Sequence, residues 1–266
     1  MTLSSLLSDG QESHSQPRMN RDMRSNLALA PSPGEETEWQ KLRPQTLVDR
    51  VVEAVISQAA RGVILPGDRI VEADLARKLG VSRVPVREAL RLLESSGIAV
   101  NQPYKGIRLR PLTNGWVQDL VEARTALETS AAHRAVDAGH HQGDWTAPLV
   151  TAISQMELTA TRNDAYGLAA AETAFHRALC GLGGNNVVLD LWETLSRQLT
   201  IVFGLATLGK PMFAIVQEHH DLLAVLSTGN KPAITAALHE HITAMNLAVD
   251  YEAIQEARRK ARETGA

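Results

Sequence analysis

The chain has 266 residues, a net charge of −3 and a single cysteine, Cys180, and 44% of its residues are hydrophobic. This length is enough for two domains, and one cysteine excludes an internal disulfide framework and favours a reducing compartment. No apolar run reaches the length of a transmembrane helix and no signal peptide opens the chain, so we expect a cytoplasmic protein without membrane contact.

Charge is distributed unevenly along the chain. Residues 1–40 carry a net charge of −3, residues 41–110 carry +6 and residues 111–266 carry −6. The first 40 residues are rich in Ser, Gln, Asn, Pro and Gly without a sustained period, which predicts a disordered tail. A basic domain over 41–110 beside an acidic one over 111–266 is typical of a DNA-binding module joined to a domain with another task.

The basic region begins with three predicted helices. The first spans Leu47–Ala60. The second, Glu72–Leu79, is amphipathic and is followed by Gly80, which favours a left-handed C-cap. The third follows Ser82, which can cap its N-terminus, and carries Pro85 in its first turn, where a missing N–H costs little. Two short helices joined by a tight turn predict a helix-turn-helix.

The third helix combines an apolar face with a basic one. Its buried stripe consists of Val86, Leu90 and Leu93. Arginines recur every four residues on another face, at Arg83, Arg87 and Arg91. A helix that begins with exposed guanidinium groups can enter the major groove of DNA, because arginine pairs bidentately with guanine. The alternative is a helix face that is merely solvated.

Two short apolar segments after the third helix predict a β-hairpin wing. Ile98–Val100 and Ile107–Leu109 have β character, and Asn101–Gly106 between them forms the predicted tip. The tip carries Lys105 and a glycine, a combination that can approach phosphates or the minor groove closely.

These segments resemble the N-terminal winged helix of GntR-type transcriptional regulators. The matching pieces are Gly62–Ile70, Leu75–Glu94 and the wing with Gly106. The resemblance implies that Arg83 and Arg87 reach base edges or adjacent phosphates. The predicted DNA-binding residues are Ser82, Arg83, Val84, Arg87, Lys105 and Gly106.

From Thr113 onward the pattern is helical, with breaks at glycine, asparagine and proline. The predicted helices lie near 113–138, 145–161, 164–181, 185–206, 211–228 and 231–262. Six antiparallel helices with short connections form a bundle. The predicted fold is therefore mainly α, an N-terminal winged helix-turn-helix followed by a six-helix bundle.

Several ligand-type side chains project from apolar faces of this bundle. Glu172 and His176 share a face at i and i+4, and His219 and His241 lie on the apolar stripes of two further helices. One carboxylate and three imidazoles suit Zn²⁺ best, or Ni, Mn or Fe, and leave coordination positions open. Taken singly, each histidine is better explained as a satisfied core or helix-end residue than as a ligand. Periodicity alone does not choose between His219 and His220.

Residues 113–249 resemble the ligand-binding domain, often called FCD, of the FadR subfamily of GntR regulators. The matching pieces are Glu122–Glu128, Glu172–His176, Gly184–Asn185, Glu218–Leu226 and Ala237–Ile242. The resemblance selects His219 over His220. It implies that a divalent metal is held by Glu172, His176, His219 and His241. Glu172 stands where the family usually has an aspartate.

Arg124 falls among apolar residues on the first bundle helix, so we expect it to be partly buried and paired. Its partner is either a nearby glutamate, Glu128 or Glu122, or the carboxylate of an effector. The resemblance favours the effector. Asn185 and Arg197 are further candidates for the same cavity.

Two classes of function fit these features. The first is a homodimeric transcriptional regulator, with repression expected, which binds a short pseudo-palindromic operator in double-stranded DNA and senses a small organic or sugar acid. The second is a metal-dependent enzyme built on the bundle, with the winged helix as a docking module. No general base separate from the metal ligands and no phosphate loop is evident, so we expect a regulator and not an enzyme.

Overall fold

The computed structural model describes residues 46–264, apart from the side chains of Ala244 and Met245. The predicted disordered tail, residues 1–40, lies outside the described residues. Within 46–264, no helix combines the length and the apolar composition needed to cross a membrane.

The basic region folds as the predicted winged helix-turn-helix. Its elements are α1 (Leu47–Ala60), α2 (Glu72–Leu79), α3 (Arg83–Ser95), β1 (Ala99–Gln102) and β2 (Gly106–Leu109). Thr46 and Asp49 form a capping box at the start of α1, and Gly80 ends α2 with φ of +65°. The two strands pair antiparallel, with Ala99 opposite Leu109 and Gln102 opposite Gly106. The predicted wing is confirmed.

The remaining chain forms a helical bundle, as predicted. Its helices are α4 (Asn114–Asp137), α5 (Ala147–Thr161), α6 (Ala165–Leu182), α7 (Asn186–Ala206), α8 (Met212–Leu226), α9 (Lys231–Leu238), α10 (Met245–Leu247) and α11 (Tyr251–Thr264). Apolar side chains of α4 to α9 form one continuous core with those of the winged helix. The mainly helical fold class is therefore confirmed.

The predicted single helix over 231–262 is wrong. After α9 the chain makes a π-helical turn, His239–Ala244, continues as α10 and then breaks before α11. Asp250 accepts a hydrogen bond from the Ala253 N–H at 3.0 Å, and the Tyr251 N–H donates to Oδ1 of Asn114 at 3.0 Å. Asp250 is thus a local N-cap signal for α11 that the sequence analysis did not use, whereas the bond from Tyr251 to Asn114 of α4 depends on tertiary packing.

Helix α1 of the winged helix packs against α7 of the bundle, and α11 of the bundle contacts the segment that precedes α2. At the contact between α1 and α7, a Cβ added to Gly204 would lie 2.5 Å from the Cβ and the carbonyl oxygen of Ala60. On α11, Arg259 and Arg262 both bind the carboxylate of Asp68, whose backbone carbonyl accepts a hydrogen bond from the Leu109 N–H at the end of β2. These contacts of Asp68 with Arg259 and Arg262, called the joint below, place the base of the wing beside α11.

Candidate metal centre and nucleic-acid interface

Three imidazoles converge inside the bundle. His176 lies on α6, His219 on α8 and His241 in the π-helical turn, and all three are buried. Nε2 of His176 is 3.2 Å from Nε2 of His219 and 3.3 Å from Nε2 of His241. One ring nitrogen from each histidine lies within 4.8 Å of the others. Three elements that are distant in sequence thus direct nitrogen atoms into one space.

The hydrogen bonds on the far side of two rings fix their tautomers. Nδ1 of His219 lies 2.7 Å from the carbonyl oxygen of Ile215, which can only accept, so Nδ1 carries the proton. Nδ1 of His176 lies 2.7 Å from Oε2 of Glu128 and donates to it when Glu128 is ionised; burial raises the pKa of this carboxyl, whereas the permanently charged guanidinium of Arg124 favours the ionised form. Both Nε2 atoms therefore present lone pairs to the shared space, the arrangement in which second-shell partners hold histidine ligands of a metal.

The spacing and charge of the histidines fit a divalent ion. A tetrahedral ion with bonds of about 2.0–2.1 Å holds its ligand nitrogens about 3.3–3.4 Å apart, close to the separations seen here. Burial lowers the pKa of His219 to about 4, and it lowers the pKa of His176 and of His241 well below the usual value. Neutral imidazole is the form that binds metal. The cluster, within the described residues, is thus a donor set that could hold a metal.

Glu128 on α4 connects this cluster to the rest of the core. Its carboxylate is completely buried and accepts three hydrogen bonds: from Arg124 Nε at 2.6 Å, from Trp192 Nε1 at 3.0 Å and from His176 Nδ1. Sequence reasoning considered Glu128 only as a partner of Arg124. The bonds from Trp192 and His176 span 64 and 48 residues of chain, and no local signal reveals them.

Arg124 is buried, as expected, and pairs with Glu128. Its guanidinium carbon lies 4.7 Å from the centre of the Phe203 ring, and its Nη2 has no hydrogen-bond partner among the described residues. A buried guanidinium nitrogen without an acceptor is costly. Glu128 is therefore the partner of Arg124 in the folded chain, and both N–H donors of Nη2 are left over.

A narrow cleft lies beside the histidines. Its lining includes Glu172, Lys210, Glu218 and His241. Burial raises the pKa of Glu172 to about 8, against the opposing charges of Arg124 and Lys210. The cluster of mutually close ligand atoms consists of the three histidines and does not include Glu172. Direct ligation of a metal by Glu172 thus stays a prediction.

Lys210 is the cation of this cleft, and sequence reasoning missed it. Its Nζ lies 2.6 Å from Oε2 of Glu218. The residue stands in the turn between α7 and α8, next to Pro211, where the sequence was interpreted only as punctuation. The signal for a cation near the site was a lysine shortly before the helix that carries His219.

Three other candidate residues lie apart from the histidine cluster. The side-chain oxygen of Asn185 accepts hydrogen bonds from the N–H groups of Val187 and Val188 and caps α7. Arg197 is exposed, and its charge lowers the pKa of Asp49 on α1 as a minor contribution after the hydrogen bonds from Thr46. His220 is exposed and binds Glu157 at 2.9 Å. The structure thus brings His219, and not His220, to the other histidines.

The start of α3 presents the predicted recognition residues to solvent. Val84 is 68% exposed, and Arg83 is exposed without a hydrogen bond or ion pair in the described part of the chain. Arg87 is held by Glu72 of α2, with Nε and Nη2 at 3.1 and 2.9 Å from the two carboxylate oxygens. Ser82 occupies the N-cap position but its hydroxyl makes no capping bond. Its hydroxyl is available to a DNA phosphate.

The wing tip adds a residue that sequence reasoning missed. Tyr104 is fully exposed and adopts φ of +62°, next to Lys105, which is exposed as expected. Gly106 has φ of +76°, and a Cβ there would lie 3.4 Å from Nε of Arg69. Glycine at this position thus lets the tip turn beside a second basic side chain. An aromatic residue in a polar hairpin tip was the signal for Tyr104.

Comparison with known proteins yields two family matches. Residues 47–109 match the model described as "Bacterial regulatory proteins, gntR family", and residues 119–244 match that of the FCD domain. Together these segments contain the winged helix and the histidine cluster.

Individual proteins are similar over much of the chain. A probable D-xylose utilization operon transcriptional repressor of Paenarthrobacter nicotinovorans is 28% identical over 208 residues, which cover 77% of this chain and 89% of that protein. An uncharacterized HTH-type transcriptional regulator of Agrobacterium vitis is 34% identical over 133 residues, covering 50% of this chain and 78% of that protein. Among solved structures, E. coli McbR/YncC is similar with a TM-score of 0.64 and 21% identity, covering 78% of this chain and 98% of the other.

Proposed function

Because this chain belongs to the gntR family of bacterial regulatory proteins and carries an FCD domain, we propose that it is a repressor whose operator affinity depends on a metal ion and a small carboxylate. The family consists of transcriptional regulators and not of enzymes, which removes the enzyme alternative. Relatives named as repressors, among them RspR of Escherichia coli, support the sign of regulation. Two copies of the chain bind a pseudo-palindromic operator as a homodimer in the cytoplasm.

The convergence of three neutral, buried imidazoles is the observation that carries the proposal. His176, His219 and His241 hold one divalent ion, Zn²⁺ in the first instance, and Glu172 supplies a carboxylate from the neighbouring cleft. When bound, the ion would supply a Lewis acid, and an anionic ligand would bind it either as a fifth donor or in place of the Glu172 carboxylate. Glu128 and the Ile215 carbonyl orient two of the imidazoles.

The effector is proposed to be a small organic or sugar acid in the cleft next to the histidines. Lys210 lines this cleft, and the unpartnered Nη2 of Arg124 is buried behind Phe203. Lys210 and Arg124 are each paired with a glutamate, Glu218 and Glu128, so the preference for an anion over a neutral sugar comes from the charge of the divalent ion itself. An effector changes operator affinity only by its different affinity for the two arrangements of the protein, typically by about 1–3 kcal/mol.

Metal content tests the first half of the proposal. Elemental analysis of the purified chain should find about one divalent ion per chain, and His219→Ala should lower this content strongly, because three ligands remain at most. His220→Ala is the matched control, since this neighbouring imidazole is exposed and bound to Glu157. Equal loss of metal in both variants would contradict the assignment of His219.

Operator titrations with a panel of organic and sugar acids test the second half. An active acid should change operator affinity of the wild type by roughly 5–150-fold and should change that of Lys210→Ala less. Lys231→Ala, which removes an exposed lysine paired with Asp137, should respond like the wild type. A panel in which no acid shifts the wild-type titration would contradict the proposed effector class.

A further inference from the structure

Three different side chains converge on the carboxylate of Glu128 in the core. Arg124 and Trp192 both donate to Oε1, and His176 donates to Oε2. Arginine Nε and indole Nε1 carry protons permanently and can only donate. Oε1 is therefore committed as an acceptor, and the carboxylate has one oxygen left to face the imidazole.

The orientation of the His176 ring depends on that remaining oxygen. Imidazole has one donor and one acceptor in its neutral form, so a donor at Nδ1 leaves Nε2 as the acceptor. Nε2 is the atom that faces His219 and His241. A partner at Nδ1 that accepts a hydrogen bond thus makes His176 a ligand, whereas a partner that donates would place the ring proton in the shared space.

We infer that Glu128 is a positioning residue of the metal centre, which sets the tautomer of His176 and links this ligand to Arg124. The inference rests on the metal binding proposed above. It adds a fifth residue, outside the coordination set, on which metal affinity depends. It also connects the metal ligand and the proposed effector cation, because both donate to the same buried carboxylate.

The substitution Glu128→Gln tests the inference with little change in volume. The amide oxygen should take the place of Oε1, where two donors require an acceptor, and the amide NH₂ should then face Nδ1 of His176. This reverses the tautomer and directs a proton at the metal site. Loss of an outer-shell partner of this kind typically lowers metal affinity by about 10–100-fold.

Two measurements report the effect. Titration with Co²⁺, followed by visible absorption, should give a Kd raised by about 10–100-fold in Glu128→Gln. Long-range ¹H–¹⁵N correlation spectra of the metal-free protein should show His176 protonated at Nδ1 in the wild type and at Nε2 in the variant. A residue that only supports packing would change neither the tautomer nor the metal affinity of a folded variant.

The matched control is Glu193→Gln on α7. Glu193 also pairs with an arginine, Arg177, but the pair is exposed, so this variant should keep both the wild-type Kd and the wild-type tautomer. If Glu128→Gln does not fold, because Arg124 loses its counter-charge, the double variant Arg124→Met/Glu128→Gln removes that charge too. It should show the same Nε2 tautomer and the same loss of affinity relative to Arg124→Met.

The outcomes separate this inference from the proposed function. If wild type binds no Co²⁺, both the metal centre and the positioning role are overturned. If wild type binds Co²⁺ and the folded Glu128→Gln variant binds it within about threefold as tightly, with His176 still protonated at Nδ1, the inference alone is overturned and the metal centre stands.

Discussion

Two carboxylates of this protein each gather several donors, in contrasting surroundings. Glu128 lies in the core of the bundle with no exposed surface, whereas the side chain of Asp68, at the joint between the winged helix and α11, is 19% exposed. Glu128 accepts from one arginine, one indole and one imidazole, and Asp68 accepts from Arg259, Arg262 and the Leu65 N–H.

The two networks differ in whether water can replace a hydrogen-bond partner that has been lost. At Asp68, solvent can solvate any group that loses its partner, so each ion pair contributes little to stability. At Glu128 no water is available, and every donor must find its acceptor within the protein. The buried network therefore fixes the geometry of a site, while the exposed one holds two domains in contact at a modest energy.

The largest effect is expected when the cation of the buried network, Arg124, is removed. Arg124→Ala leaves the Glu128 carboxylate buried without its counter-charge and should lower the free energy of unfolding by about 3–5 kcal/mol in urea denaturation. Arg177→Ala removes an exposed arginine from the same kind of pair, with Glu193, and should cost roughly 0–1 kcal/mol. Similar losses in both variants would refute the comparison.

The second prediction concerns an exposed arginine that makes no pair within residues 46–264. Arg83→Ala should leave the free energy of unfolding within roughly 0.5 kcal/mol of wild type and should weaken operator binding by about 1–3 kcal/mol, because its guanidinium is free to pair with a base. Gel-shift titration at two salt concentrations measures this. Arg77→Ala, whose exposed side chain pairs with Asp74, is the control. Unchanged operator affinity in Arg83→Ala would remove α3 as the recognition helix.

The third prediction tests the partly exposed network around Asp68. Asp68→Asn removes the charge that binds both arginines of α11 and should cost about 1 kcal/mol in urea denaturation. Asp137→Asn, at an exposed pair with Lys231, should cost less because it joins elements within the bundle only. A loss of several kcal/mol in Asp68→Asn would mean that the joint behaves like a buried network.

The smallest effect is a pH dependence of this joint. Partial burial raises the pKa of Asp68, but hydrogen bonds from Arg262 and the Leu65 N–H outweigh it, so that the pKa in the folded protein lies below the usual value of 3.8. Stability from this carboxylate is therefore complete above that value and is lost as pH falls through the lower, folded pKa. Thermal melting between pH 5 and about 3 should thus fall less for Asp68→Asn than for the wild type, and equal slopes would contradict the assignment.

Local signals in the sequence accounted for most of the fold. Gly80 and Pro85 mark helix ends through backbone chemistry that acts within a few residues; α2 begins and ends as predicted, and α3 begins after Ser82 as predicted although the Ser82 hydroxyl makes no capping bond. Leu47, at the first position of α1, is 44% exposed, because it precedes the part of the helix that meets the core.

The site was less accessible to sequence reasoning than the fold. Periodicity placed Glu172 and His176 on one face, but family resemblance was needed to choose His219. The three donors around Glu128 come from α4, α6 and α7, and such convergence depends on tertiary packing that no window of the sequence contains. The contact of Asn114 with the start of α11 is of the same kind, although Asp250, the N-cap of that helix, was a local signal for the break.

The π-helical turn His239–Ala244 has a consequence for comparing family members by sequence. Such a turn holds one more residue than an α-helical turn, so deleting a single residue from it would rotate the side chains on one side of the deletion by about 100°. A family member with a shorter turn could keep a histidine aligned with His241 and yet present it to another face of the helix. Gap placement across 239–244, and not residue identity alone, is therefore the criterion for deciding which homologues retain a third imidazole at this position.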